Sequence, residues 1–141
     1  MVSRIFEIEW PDFNVTVCAE LLEEENPAMC EAFWQGLPCT TIFMASMSAG
    51  HILKIPISFS LPMPGPEKRA LIMKELPGTI MVFSNNELIM TYGTVVEPFM
   101  MPRLARIPES ELEKLSSVTI KLSDAYFFTK EINKANMRRK K

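Results

Sequence analysis

The sequence predicts a mostly β protein, a closed barrel of about eight strands with two short helices, and three observations carry that prediction. One segment, Glu25 to Pro38, has the start signal, apolar face and stop signal of a helix. The segments around it alternate apolar and polar residues with the period of half-buried strands. Clusters of Pro, Gly, Asn and Ser punctuate the chain between them, as turns do in all-β folds. A helix with a broad apolar face needs a surface to bury against, and a curved sheet of short strands supplies it.

Residues 4–10 place Phe6, Ile8 and Trp10 on one side and Glu7 and Glu9 on the other. Pro11-Asp12-Phe13-Asn14 turns the chain, and residues 15–22 alternate again with Val15, Val17, Ala19 and Leu21 on one face, so the chain opens with a β-hairpin. Glu23-Glu24-Glu25 then leads into a helix N-terminus, where negative charge is favourable. The helix covers residues 27–35. Asn26 is placed to cap it, Pro27 suits the first helical position, and Gly36 and Pro38 end it. Met29, Cys30, Phe33, Trp34 and Leu37 share its apolar face.

After the helix, Thr40–Met47 and His51–Ser58 flank Ser48-Ala49-Gly50 as a second hairpin. Residues 61–66, with four Pro or Gly positions in six, form a loop. Residues 67–76 read equally as a strand or a helical turn. Pro77-Gly78 opens a buried strand over 79–83, residues 84–87 turn the chain, and a strand over 88–92 ends at Gly93. Residues 99–107 form a further strand, interrupted near Pro102 at an edge or a bulge. A short helix over 109–115 and a closing strand over 117–122 complete the barrel. The expected organisation is thus a barrel domain over 1–122 and a C-terminal segment over 123–141, whose first turns dock through Tyr126, Phe127 and Phe128 while its basic end frays.

Composition narrows the function classes. With 141 residues and 48% hydrophobic content, the chain suffices for one well-buried core. Its apolar runs fall short of the roughly 20 residues that span a bilayer, and its start lacks the apolar stretch of a signal peptide, so a cytoplasmic protein without a membrane partner is expected. Cys18, Cys30 and Cys39 have no paired spacing and only His51 beside them, which argues against a disulfide framework and a metal site. The net charge of −2 hides an asymmetry: residues 130–141 hold six of the fifteen basic residues and one Glu, leaving nine basic against sixteen acidic residues before them. An acidic body repels phosphate, so nucleic acid is not an expected partner.

Three segments, in order, resemble the cyclophilin family over roughly residues 4–122. Asn26-Pro27-Ala28-Met29-Cys30-Glu31-Ala32-Phe33 resembles the helix start A-P-K-T-x-E-N-F. Leu76-Pro77-Gly78-Thr79-Ile80-Met81-Val82 resembles the P-G-x-x-S-M-A strand, and Leu104-Ala105-Arg106-Ile107-Pro108-Glu109-Ser110 resembles F-G-K-V-x-E-G. The isomerase signature is another matter. The family's arginine of F-H-R-V falls at about Ser46, its glutamine at about Lys54, its asparagine at about Ser84 and its histidine near Met101. Losing one positioned electrostatic donor costs on the order of 10²–10³ in rate. A lone ammonium at Lys54 lacks the planar fork of a guanidinium. A closer resemblance is to small, functionally uncharacterised prokaryotic proteins with a cyclophilin-like barrel: their S-G-x-x-I-Y-I-P and P-G-D-I-x-Y-x-P-G segments are similar to residues 48–56 and 77–83.

That resemblance implies a pocket on one barrel face taking a small molecule or a short peptide, with no cofactor. Its expected polar residues are Ser46, Lys54, Ser84 and Arg103, with Phe83 and Tyr92 as apolar walls. Lys54 also reads as the solvent-face lysine of an alternating strand. Two other readings stand beside this one. The first is a peptidyl-prolyl isomerase with a degenerate site; His51, the single imidazole, sits by Gly50 as a turn residue rather than a general base. The second is an accessory subunit or homo-oligomer closed through Met63, Met73, Met90, Met100 and Met101. No residue pattern specifies a reaction.

Overall fold

The computed structural model describes residues 3–141. The hairpin forms as expected: β1 (Ile5–Trp10) pairs antiparallel with β2 (Val15–Leu21), and Phe6, Ile8, Trp10, Val17, Ala19 and Leu21 are all fully buried. Helix α1 spans Pro27–Gln35 and buries Met29, Cys30 and Phe33. The Phe33 ring sits edge-on to Phe6, centroids 4.8 Å apart, and 6.0 Å from Phe59. Asn26 does not cap the helix through its side chain. Its Nδ2 instead donates to the Arg103 carbonyl at 3.1 Å, tying the helix start to the sheet.

The expected second hairpin exists only in its inner half. β4 (Met44–Ala45) pairs with β5 (Gly50–Pro56), whereas β3 (Cys39–Ile42) breaks away at Phe43 and pairs elsewhere. Residues 67–76 combine both readings: the short strand β6 (Arg69–Leu71) lies between two single helical turns. β7 (Thr79–Ser84) and β8 (Glu87–Val95) form the next hairpin, and β8 runs through Gly93 rather than ending there. His51 is an exposed residue of β5 whose Nδ1 accepts from the Thr94 N–H at 3.2 Å, and its ring overlies Gly93, where a side chain would collide with it. β9 (Met100–Arg106) pairs with β2, β6 and β7, with its register slipping beside Leu104.

Two expectations for the C-terminal third are corrected. Residues 117–122 are not a strand but the second half of α2 (Leu112–Asp124), which continues as a π-helical turn over Ala125–Thr129. Leu115, Val118, Thr119 and Leu122 are buried at helical spacing while Ile120 is 60% exposed, although a strand would have put Ile120 on the same face as Val118 and Leu122. The basic end is not frayed. It forms β10 (Lys134–Arg139), hydrogen-bonded to β1 on one side and β3 on the other, with Ala135 and Met137 in the core. The barrel therefore draws on residues well beyond 122.

The strands follow the order β3-β10-β1-β2-β9-β7-β8-β5-β4, with β6 attached to β9. This is a nearly closed, nine-strand antiparallel barrel, mostly β, with two helices. Its seam is chemically simple. β3 and β4 are one bent strand, so the first and last members of the sheet join through Phe43, and the Thr41 hydroxyl donates to the Pro56 carbonyl across the closure. Phe6, Trp10, Phe33, Leu53, Leu104 and Leu122 share the interior core. A smaller apolar cluster of Ala49, Ile52, Ile72, Met81, Ile89, Val95 and Met101 lies apart from it.

Candidate functional site

Strand alternation explains the second cluster. On β5, Leu53 and Ile55 belong to the interior while Ile52 belongs to the smaller cluster; on β7, Ile80 and Val82 face in while Met81 faces out; on β8, Leu88 and Met90 face in while Ile89 faces out. The outward residues floor a concavity on the outer face of β5, β7, β8 and β9. Two loops border it, held by the Ile72 N–H donating to the Phe99 carbonyl and the Val96 N–H donating to the Ala49 carbonyl, both at 2.9 Å.

The resulting cavity has a volume of about 130 Å³. Ile52, Ile72, Ile89 and Met101 form its apolar base, and Phe83 and Phe99, each about half exposed, stand at its rim with ring centroids 6.4 Å apart. Its polar lining comes from Ser46, Ser48, Lys54, Glu87 and Glu97. Among the described residues, none of the Lys54, Glu87 and Glu97 side chains has an ion-pair or hydrogen-bond partner within the chain. One ammonium and two carboxylates thus stand without internal partners around an apolar floor. Ser46 is buried, and its Oγ accepts from the backbone N–H groups of Ala49 at 3.0 Å and Ser48 at 3.4 Å. It shapes the wall by holding the turn.

Of the six residues expected to line a pocket, the structure brings Ser46, Lys54 and Phe83 together here. Ser84 lies beyond the rim, its hydroxyl donating to Asn86 Oδ1 at 3.3 Å. Tyr92 packs on the interior core; its ring lies 5.3 Å from His51, and burial raises its phenol pKa against the opposing pull of Ser123. Arg103 is engaged elsewhere: its Nε and Nη2 donate to the Glu75 carboxylate at 2.6 and 2.8 Å, and its Nη1 reaches Glu25 at 3.3 Å. The Glu75 carboxylate, 4% exposed, pushes the Arg103 pKa still higher than usual, against the opposing effect of burial. That pair latches the 61–78 segment to β9.

Sequence reasoning missed Glu87, Glu97, Phe99 and Ile72. Glu87 had a signal, since it shares strand parity with Ile89. The other three reach the cavity through loops or a helical turn, where no periodicity marks them. The described residues contain no group of three or more His, Cys, Asp or Glu able to hold a metal ion, and no helix among them is long and apolar enough to cross a membrane. Burial pushes the Cys30 thiol up to about 12 and the Cys39 thiol up to about 11, so both stay protonated and weakly nucleophilic at neutral pH.

No family model and no curated protein matches the chain. Solved structures do. McbB in complex with tryptophan superposes with a TM-score of 0.86 at 25% identity, over 96% of this chain and 44% of McbB, so the chain spans less than half of that protein's length. A cyclophilin-type peptidyl-prolyl cis-trans isomerase of Cryptosporidium parvum matches at 0.70 and 13% identity, over 99% of this chain and 98% of that one. A hypothetical protein of Archaeoglobus fulgidus matches at 0.65 and 12% identity, over 99% and 96% of the two chains. The architecture shared with the isomerase is the barrel; at these identities it is a likeness of fold.

Proposed function

We propose, from the premise that the chain is a cyclophilin-like barrel, that its outer-face cavity binds a small zwitterion of the aromatic amino-acid class. The observation that carries this reading is the trio of Lys54, Glu87 and Glu97 without internal partners above an apolar floor. An amino acid presents a carboxylate for the lysine, an ammonium for the glutamates and a ring for Phe83 and Phe99. Size supports a partial fit: an engineered cavity of about 150 Å³ accepts benzene. A space of about 130 Å³, somewhat smaller than that, suits insertion of part of a ring, with the charged end at the mouth. The tryptophan in the complex of McbB, a protein that resembles 96% of this chain over 44% of its own length, supports the ligand class. Affiliation with the small prokaryotic barrels belongs to the same reading, because the two segments similar to theirs supply Ser48, Lys54 and Phe83 to one cavity.

Calorimetric titration with L-tryptophan, its amide and its N-acetyl derivative tests the proposal. Free tryptophan is expected to bind, and Lys54→Ala to weaken it about 10–100-fold through loss of a charge-assisted hydrogen bond. Equal affinity for all three compounds, or an unchanged affinity in Lys54→Ala, would overturn the zwitterion reading and favour a short peptide.

A further inference from the structure

The apolar base of the outer-face cavity has two sources. Ile52, Ile89 and Met101 belong to β5, β8 and β9, whose backbones are fixed by the barrel's own ladders. Ile72, 1% exposed, comes instead from the single helical turn Ile72–Lys74 that follows β6. The barrel's strands thus set three parts of the floor, and a connecting turn sets the fourth. That turn is pinned on both sides. Before it, the Ile72 N–H donates to the Phe99 carbonyl at 2.9 Å, which joins the floor to the rim. After it, the Leu76 carbonyl accepts from the buried hydroxyls of Thr79 and Thr91 at 2.7 and 2.9 Å. Between the two, the Glu75 N–H donates to the Ile72 carbonyl at 3.1 Å, while the Glu75 carboxylate is gripped by Arg103. Giving up buried hydrogen bonds is costly, so this anchoring resists a retreat of Ile72 when a ligand enters. The depth matters because the space is tight. At about 130 Å³ it falls below the roughly 150 Å³ that accepts benzene, so most of a phenyl ring enters, whereas an indole leaves its second ring at the mouth.

We propose that Ile72 is the specificity-determining residue of this pocket, setting the ring size it admits, so that the single ring of phenylalanine is preferred to the double ring of tryptophan. This size limit rests on the amino-acid reading of the pocket, and Glu75 and Arg103 are the positioning residues that hold it in place. Calorimetric titration with L-phenylalanine and L-tryptophan tests it. The unmodified chain is expected to bind phenylalanine about tenfold more tightly, the low end of what one methylene decides in an apolar pocket. Ile72→Ala is expected to reverse the order by lowering the floor, and Ile72→Val, a milder change that keeps the protein folded, to narrow it. Glu75→Gln is expected to narrow it as well, whereas Lys74→Ala, an exposed neighbour in the same turn, leaves it unchanged. The ratio of the two affinities is the readout, because a general loss of structure lowers both together. Tryptophan binding as tightly as phenylalanine in the unmodified chain, or a ratio untouched in both Ile72 variants, would overturn the proposal. Lys54→Ala separates the size limit from the zwitterion reading: weaker binding of both amino acids at an unchanged ratio supports both, and unchanged affinities with an Ile72-dependent ratio would sink the zwitterion and leave the size limit standing. Binding of neither amino acid at millimolar concentration would overturn the two together.

Discussion

At the scale of the residue, the chain separates charges that hold structure from charges left for solvent or ligand. Glu23 belongs to the first kind. Its carboxylate accepts from Arg4 Nε at 2.7 Å and from the Arg4 N–H at 2.9 Å, and these contacts lower its pKa, with the side-chain hydrogen bond the largest cause and burial opposing. A carboxylate whose folded pKa is depressed contributes stability that is present above its unfolded value near 4.5 and lost as pH falls through the folded value. Glu23→Gln is therefore expected to destabilise the protein by about 1 kcal/mol at pH 7, after discounting for partial exposure, with the deficit shrinking toward acid. Urea unfolding at pH 7 and pH 3 checks it, and a deficit independent of pH would refute the role. The same distinction explains what was legible of the site. The resemblance pointed to Lys54 and Phe83, and strand parity agrees with it by placing them outward with Ile52 and Met81. That parity also puts Tyr92 inward with Leu88 and Met90, and the expectation for it ignored this. Arg103 was beyond reach, since its partner Glu75 lies 28 residues away across a loop without periodicity.

At the scale of the element, the opening hairpin and α1 emerge from local signals alone, because their caps, turns and periods agree with one another. The two corrections have different causes. β-branched Val118, Thr119 and Ile120 favour a strand locally, and burial of Leu115, Val118 and Leu122 in the barrel overrides that preference. β10 offers only Ala135 and Met137 to the core, too little to announce a strand. Its other face matches β1: Arg138 reaches Glu7 at 3.1 Å and Glu9 at 3.0 Å, and Asn136 reaches Glu9 at 3.3 Å. One arginine of the basic end thus meets two glutamates of the acidic body across a strand pair, a pattern that only the register reveals. Met137→Ala is accordingly expected to cost about 2–5 kcal/mol, and removal of residues 134–141 to prevent folding. Circular dichroism and chemical denaturation decide between this and a dispensable tail, for which truncation would leave the melting transition in place.

At the scale of the whole molecule, one barrel geometry is shared with an isomerase and with a tryptophan-bound protein, so the architecture does not choose between their chemistries. The outer-face cavity is lined by a lysine and two glutamates and by no arginine, and Arg103 is bound to Glu75. A protease-coupled assay on a proline tetrapeptide is expected to show isomerisation at its uncatalysed pace of tens of seconds or slower. Acceleration abolished by Lys54→Ala would reverse that conclusion. The bent strand through Phe43 has a different reach. By supplying both the first and the last member of the sheet, it makes the two end strands short, four and two residues long, which limits the row of backbone groups on which another chain's strand can dock, the route by which β-rich proteins grow into fibrils. Substitutions that straighten the bend at Phe43 are accordingly expected to lengthen that row.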